Sequence, residues 1–431
     1  MRFEFKDERS NKFWEPQLGP TWFEITFGRI GSKPQKLRKD FATAEEAKAA
    51  YELAIEEKTK RGYRPAGAAS PVSRDRNAQL EAALRANRDD QGAYLVYSDF
   101  LQATGEPHGE LIAVQLALAN KKSAALSRRE KVLLKKQALL DARFGALQFK
   151  WGMLDSVRVD LRRARTLDPR PLFERLFGSI ACTALRELTV GVISTDDLQN
   201  LFDIAGRYPW AGSLERLHLG ETGQKLSRNW LGRVGQAISR SFPGLHALSL
   251  RSGQSWAGDH SALNFAGLEL PELRELTIET CSMTKQRLKM LWAAKLPKLE
   301  RLTIWFGSER QWVDCSAKDL RPLLDGKAFP KLKHLGLVNA EFEPEIAATL
   351  SRSKLAAQLE SVELSKGTLD DSHVQLLVDG ARAFERLEQL DVSENFFSKS
   401  GLAKLEKAYP GLEGRKQRDA RRGLRYVAVA E

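Results

Sequence analysis

Leu273-Arg-Glu-Leu-Thr-Ile278 and Leu299-Glu-Arg-Leu-Thr-Ile304 are two copies of one six-residue phrase, Leu-x-x-Leu-x-Leu, in which Val or Ile can replace the later leucines. Further copies start at Leu154, Leu185, Leu214, Leu245, Leu332, Leu359 and Leu387, at intervals of 26 to 33 residues. A period near 28 leaves room for one short strand, one short helix and two turns. Side chains alternate along a strand, so positions 4 and 6 face inward together while position 1 packs at the turn. No single unit can bury these residues alone, so neighbouring units stack and their strands line up in a parallel sheet. The phrase therefore predicts a curved solenoid over 151–412, in about nine repeats, with Leu412 starting a degenerate tenth.

The segments between copies read as helices. Trp230, Leu231, Val234 and Ile238, and again Leu288, Leu291 and Trp292, fall three and four residues apart. Pro243, Pro271, Pro297, Pro330 and Pro410 each stand two residues before the next strand, where a helix cannot continue. Cys281 and Asn395 fall at the turn that follows the strand. The third and fifth positions of the phrase and the residue just after it point away from the core and form the concave face. Arg216, His218, Arg251, Glu275, Glu279, Arg301 and Trp305 lie there. Mixed charges beside an aromatic anchor fit a protein partner rather than a nucleic-acid backbone, which calls for a uniformly basic groove. His218 and His334 share this face four rungs apart, too far to share a metal ion.

The chain has 431 residues, room for two or three domains, and 68 basic against 56 acidic side chains give a net charge of +12. That balance raises the expectation of a polyanionic partner. No apolar run approaches 18 residues, so no membrane span is expected. The start, Met1-Arg-Phe-Glu-Phe, has no signal-peptide core. Three separated cysteines (Cys182, Cys281, Cys315) fit a reducing compartment, and a cytoplasmic location is expected. No phosphate-binding glycine loop, metal motif or nucleophile elbow is present. The chain is read as a non-enzyme with no cofactor, metal or catalytic residue.

Residues 1–65 form a separate α+β unit. Phe3 and Phe5, then 21–27, then 35–41 alternate as strands. Thr43 with Glu46 makes a capping box for a helix ending near Gly62. Residues 66–73 read as a linker. Residues 74–150 are read as four helices, the last from Arg128 to about Phe144. Asp89 or Asp90 is a helix cap there rather than a metal ligand, and His108 lacks a second histidine. Residues 413–431 are a basic tail whose Tyr426–Val429 is read as a short strand.

Asn11-Lys12-Phe13-Trp14, Phe27-Gly28-Arg29-Ile30-Gly31, Phe41 with its helix and Glu57-Lys58-Thr59 resemble the WGR domain of DNA-damage-activated poly(ADP-ribose) polymerases and many bacterial proteins. The resemblance implies binding to DNA ends or nicks through the motif's Trp and Arg and a late helical Lys. Arg29 and Lys58 occupy the latter two positions. Phe27 replaces the Trp, keeping a stacking face and losing the indole donor. Lys12, Lys33, Lys36 and Arg38 complete the expected nucleic-acid set, as cations that can neutralise phosphates. No stretch is left for the polymerase catalytic domain. The phrase from Leu80 to Gln115 resembles a short bacterial helical module that accompanies leucine-rich repeats, expected here to cap the first repeat. The ladder resembles the ribonuclease-inhibitor-like class of those repeats. The whole resembles bacterial WGR-plus-repeat proteins grouped with a regulator of molybdate metabolism, which implies a regulatory adaptor. The alternative is a protein-only scaffold or enzyme inhibitor.

Overall fold

The computed structural model describes residues 3–6, 11–29, 34–60, 63–65, 77–137, 139–140, 144–160, 168–191, 195–220, 230–253, 263–420 and 424–429. The chain divides into two compact units, Met1–Arg76 and Asn77–Glu431. The expected linker at 66–73 lies outside the described residues.

The first unit is an antiparallel sheet of β1 (Phe3–Lys6), β2 (Asn11–Leu18), β3 (Trp22–Arg29), β4 (Gln35–Asp40) and β5 (Arg64–Pro65), in the order β4-β3-β2-β1-β5. Helix α1 (Ala44–Lys60) packs against β2 and β3. Its start is built as expected. Thr43 Oγ1 accepts from the Glu46 amide at 3.2 Å, and the Glu46 carboxylate reaches back to the Ala42 amide at 3.1 Å. The two-residue β5 was not anticipated. It pairs with β1 and brings Tyr63 within 5.4 Å of the Phe5 ring.

The second unit opens with α2 (Ala78–Ala86), α3 (Gln91–Ala103), α4 (His108–Asn120) and α5 (Ala124–Gln137). Asn77 caps α2 and Asp90 caps α3, each through its side-chain oxygen. The fourth helix starts before Arg128 and ends well before Phe144. Residues Gly145–Lys150 form strand β6 instead, paired antiparallel with β7 (Met153–Val159). Between them Trp151 and Gly152 take φ of 50° and 82°. Left-handed backbone at both loop positions matches the twist of a tight hairpin. The alternating Ala146-Leu-Gln-Phe149 is thus a strand, so the helical module ends before residue 145.

The remaining strands are β8 (Glu187–Val190), β9 (Arg216–Leu219), β10 (Ala247–Arg251), β11 (Glu275–Glu279), β12 (Arg301–Gly307), β13 (His334–Ala340), β14 (Ser361–Glu363), β15 (Gln389–Asp391) and β16 (Leu412–Glu413). From β7 to β16 every strand pairs in parallel with its sequence neighbours, so the order in space is the order in the chain. Register keeps the phrase aligned from rung to rung: Leu217, Leu248, Leu276, Leu302 and Leu335 are successive partners. Those leucines are no more than 2% exposed, each contributing about 1.5–3 kcal/mol by leaving water. One continuous apolar core runs from Leu139 to Tyr409. Short helices sit between most of the strands, and Pro243, Pro271, Pro297, Pro330 and Pro410 stand in turns. Asn395 is fully buried, donating to the Leu364 and Val392 carbonyls and accepting from the Leu369 amide.

The helical module packs Leu84, Tyr94, Tyr97, Leu101, Ile112 and Leu116 onto Met153, Ile180 and Ala184 at the first rungs. Arg88 fastens this contact. Its guanidinium donates to the carbonyls of Ala184, Leu185 and Ser213 and pairs with Glu215 at 2.9 Å.

Candidate functional site

In the first unit the β2–β3 register sets Lys12 opposite Arg29 and Trp14 opposite Phe27. Residues two apart on a strand share a face, so these four stand together. The face is the one that carries α1: Trp14 is buried with its ring 5.4 Å from Phe3, and Phe23 lies 6.3 Å from Tyr51 of the helix. Lys58, in the last turn of α1, places Nζ 5.8 Å from the Trp14 ring and 4.7 Å from Tyr63. Lys12, Phe27, Arg29 and Lys58 therefore form one group around a buried indole. Lys12 and Arg29 are exposed, while Phe27 is half-buried.

Lys36 and Arg38 do not join it. In register they lie beside Thr26 and Glu24, on the opposite face of the sheet. Lys36 pairs with Glu24 at 2.8 Å, and Arg38 pairs with Asp40 at 2.9 Å while covering the Trp22 ring at 4.3 Å. The pleat thus splits the expected basic set in two. Lys33 lies outside the described residues.

On the parallel sheet the outward positions fall where alternation puts them, and Arg216, Glu275 and Arg301 are exposed. The expected patch is largely paired within itself. Arg251 forms an ion pair with Glu279, both side chains mostly out of solvent, and Arg301 lies 3.9 Å from Glu275. His218 Nε2 is 3.8 Å from Glu187. Trp305, expected as an exposed anchor, is half-buried, with Lys366 Nζ 5.8 Å from its ring. Beside it on β13 the outward Gly336 and Val338 are buried, while outward Gln389 on β15 is exposed. Burial raises the Glu363 carboxyl on β14, against a 2.6 Å hydrogen bond from Ser365. Burial and then the neighbouring Arg301 lower His334. Among the described residues no group of histidine, cysteine and carboxylate could hold a metal ion, and no helix is long and apolar enough to cross a membrane.

One feature escaped the sequence, and a second reads there as a strand. Glu343 is fully buried. One carboxylate oxygen accepts from the Thr368 and Leu369 amides, and the other has no hydrogen-bond partner among the described residues. Burial pushes this carboxyl well above the usual range. The second feature is residues 424–429, which form no strand but are held against the end of β13 and the turn after β14. Arg418 of the basic tail is half-buried and donates to the Glu394, Gly367 and Tyr426 carbonyls. Asn339 takes left-handed backbone (φ 57°) at its strand end, and nothing local in it points to a partner 90 residues away.

Comparison with known proteins bears on both units. Residues 1–70 match the WGR domain family, so this stretch is a WGR domain, a nucleic-acid-binding module. No curated protein matches the chain. A crystal structure of a Bacteroides fragilis protein, a structural-genomics target, is similar with a TM-score of 0.55 at 19% identity, over 100% of this chain and 99% of that one. Likeness at that identity is one of fold.

Proposed function

We propose that the chain is a non-enzymatic regulatory adaptor. Its WGR unit contacts nucleic acid through Lys12, Phe27, Arg29 and Lys58. Its second unit, read as a leucine-rich-repeat solenoid of the ribonuclease-inhibitor-like class, offers its strand face to a protein partner. The observation that carries the nucleic-acid half is the convergence of cations from β2, β3 and α1 around Trp14, on one face of the sheet. Such a group can hold a phosphate backbone while Phe27 offers a ring edge to a sugar or base. For the strand face the support is weaker in kind. Arg216 and the exposed Arg301–Glu275 pair are the charges left for a partner to read.

The test is binding of the full chain to blunt and nicked duplexes at about 50 and 200 mM salt, where each lost phosphate contact reduces the log–log salt slope by about 0.9. Arg29→Ala and Lys58→Ala are expected to lower both affinity and slope, and Lys36→Ala to leave them nearly unchanged. Equal loss in all three would show that the grouped face is not the interface. One observation favours a protein-only scaffold or inhibitor: Phe27 is half-buried opposite Trp14 and has no indole N–H to donate. Absence of any duplex shift at low salt, together with capture of a partner that depends on Arg301, would establish that second reading.

A further inference from the structure

Residues 424–429 are held in a way that differs from the rest of the fold. Asn339 is fully buried, yet both ends of its amide are engaged by one residue of this segment: Nδ2 donates to the Val429 carbonyl and Oδ1 accepts from the Val429 amide, each at 2.8 Å. The Ala428 amide donates to the Lys366 carbonyl at 2.9 Å, and Arg418 Nη1 donates to the Tyr426 carbonyl at 2.7 Å. Four main-chain groups on three residues, Tyr426, Ala428 and Val429, are thus recognised. Such contacts read an extended backbone and are indifferent to whose backbone it is.

Side chains supply selectivity. Arg425 forms an ion pair with Asp370, which is itself largely buried. Tyr426 stands edge-on to Phe396 at 6.1 Å, with the Arg418 guanidinium 4.4 Å from the Phe396 ring. Val427 is 4% exposed. Two large side chains of the segment nevertheless stay in solvent, Leu424 70% and Tyr426 42% exposed. An integral capping strand would bury those groups, as the ladder buries its leucines. The site itself is specific, because both ends of the Asn339 amide are matched to one backbone residue.

We propose that the end of β13 and the segments after β14, β15 and β16, with Asn339, Lys366, Asp370, Phe396 and Arg418, are a peptide-binding site that residues 424–429 fill as a resident ligand. The partner it takes is an extended segment of another protein carrying a basic, an aromatic and a β-branched residue in that order. Tethering gives the resident segment a high effective concentration, so a free peptide competes poorly until the segment is loosened. The proposal is independent of the strand-face reading, since it uses the end of β13 and these segments and not the outward strand positions.

The probe is a fluorescein-labelled peptide with the sequence of residues 424–431. The full chain carrying Arg425→Glu and Tyr426→Ala is expected to bind it at least about tenfold more tightly than the wild-type chain does, a difference of about 1.4 kcal/mol. Adding Asn339→Ala, or placing Glu at the peptide's Arg position, should reverse the gain. A loosened chain that melts like wild type but takes up no peptide, or binds it equally without Asn339, overturns the proposal. Where the loosened chain fails to fold, amide exchange of the wild-type chain decides. Ala428 and Val429 should exchange far faster than Leu335 in β13, and equal protection would make the segment an integral part of the fold. Wild-type dimers that exchange the segment between copies would also overturn a site meant for another protein.

Discussion

The two sheets of this chain use the same alternation of side chains to different ends. In the parallel ladder one side of each strand is committed to the core. Leu276 and Leu302 are fully buried, while Glu275 and Arg301 on the same strands stay in solvent. In the WGR sheet neither face is uniformly apolar. One face carries Trp14, Phe23 and Phe27 under α1, and the other carries Trp22 and Phe13 among charges. β4 is exposed throughout. The ladder is therefore held by repetition of one interaction, and the small sheet by a few particular ones. In the second kind of sheet, which face a residue occupies decides what it can do.

Four measurements would break or sharpen that contrast. The largest effect is expected in the ladder. Leu302→Ala removes a fully buried side chain between two neighbouring rungs and should cost about 2–5 kcal/mol in urea unfolding. The matched change in the small sheet, Leu37→Ala at a half-exposed site, should fall within about 0.5 kcal/mol. Similar losses at the two sites would erase the distinction. Next, Arg88→Ala strips partners from several carbonyls and from Glu215. It should cost about 3 kcal/mol and lower the melting temperature of the second unit.

A smaller effect is expected at Glu343. Burial raises its carboxyl, against the Leu369 and Thr368 amides and the Arg418 charge. The folded chain then keeps a proton that the unfolded chain releases above about pH 4.5. This group's stabilising contribution is full below that value and is lost as pH rises through the folded-state value. Glu343→Gln should therefore gain relative to wild type as pH increases, by at most about 1.4 kcal/mol per pH unit. A flat difference between pH 5 and 8, followed by urea titration, would mean that the carboxylate is ionised where it lies. The smallest effect is expected at the exposed Arg301–Glu275 pair. A double-mutant cycle there should give no more than about 0.5 kcal/mol of coupling, leaving both side chains available to a partner.

The parallel ladder was legible in the sequence because its physics repeats. One phrase fixes which side chains go inward, and nine copies fix the neighbours of each strand. The capping box at Thr43 and the helix cap at Asp90 were legible because they act within a few residues. The basic set of the WGR unit was legible by residue type but not by grouping. Lys36 and Arg38 are separated from Phe27 and Arg29 by the pleat, and their neighbours follow from cross-strand register, which sequence spacing does not give. Strand β6 was hidden next to a helical run because alternation over six residues is a short signal. Arg88 and Asn339 were out of reach altogether. Their distant partners lie 96 to 127 residues away for the first and 90 for the second, and nothing local in either residue announces a distant carbonyl or amide.

The two ends of the ladder are unequally secured, and this gives the molecule a direction of wear. At the β7 end a hairpin, a helical bundle and the Arg88 guanidinium all hold the same rungs. At the other end β16 contributes two residues, and the tail beyond it, through Arg418 and residues 424–429, clasps the last rungs by hydrogen bonds rather than by a packed bundle. Because each strand leans on its immediate neighbours, heat, pulling or protease attack should release that tail first and then peel rungs from β16 inward, with the helix-bound rungs the last to part.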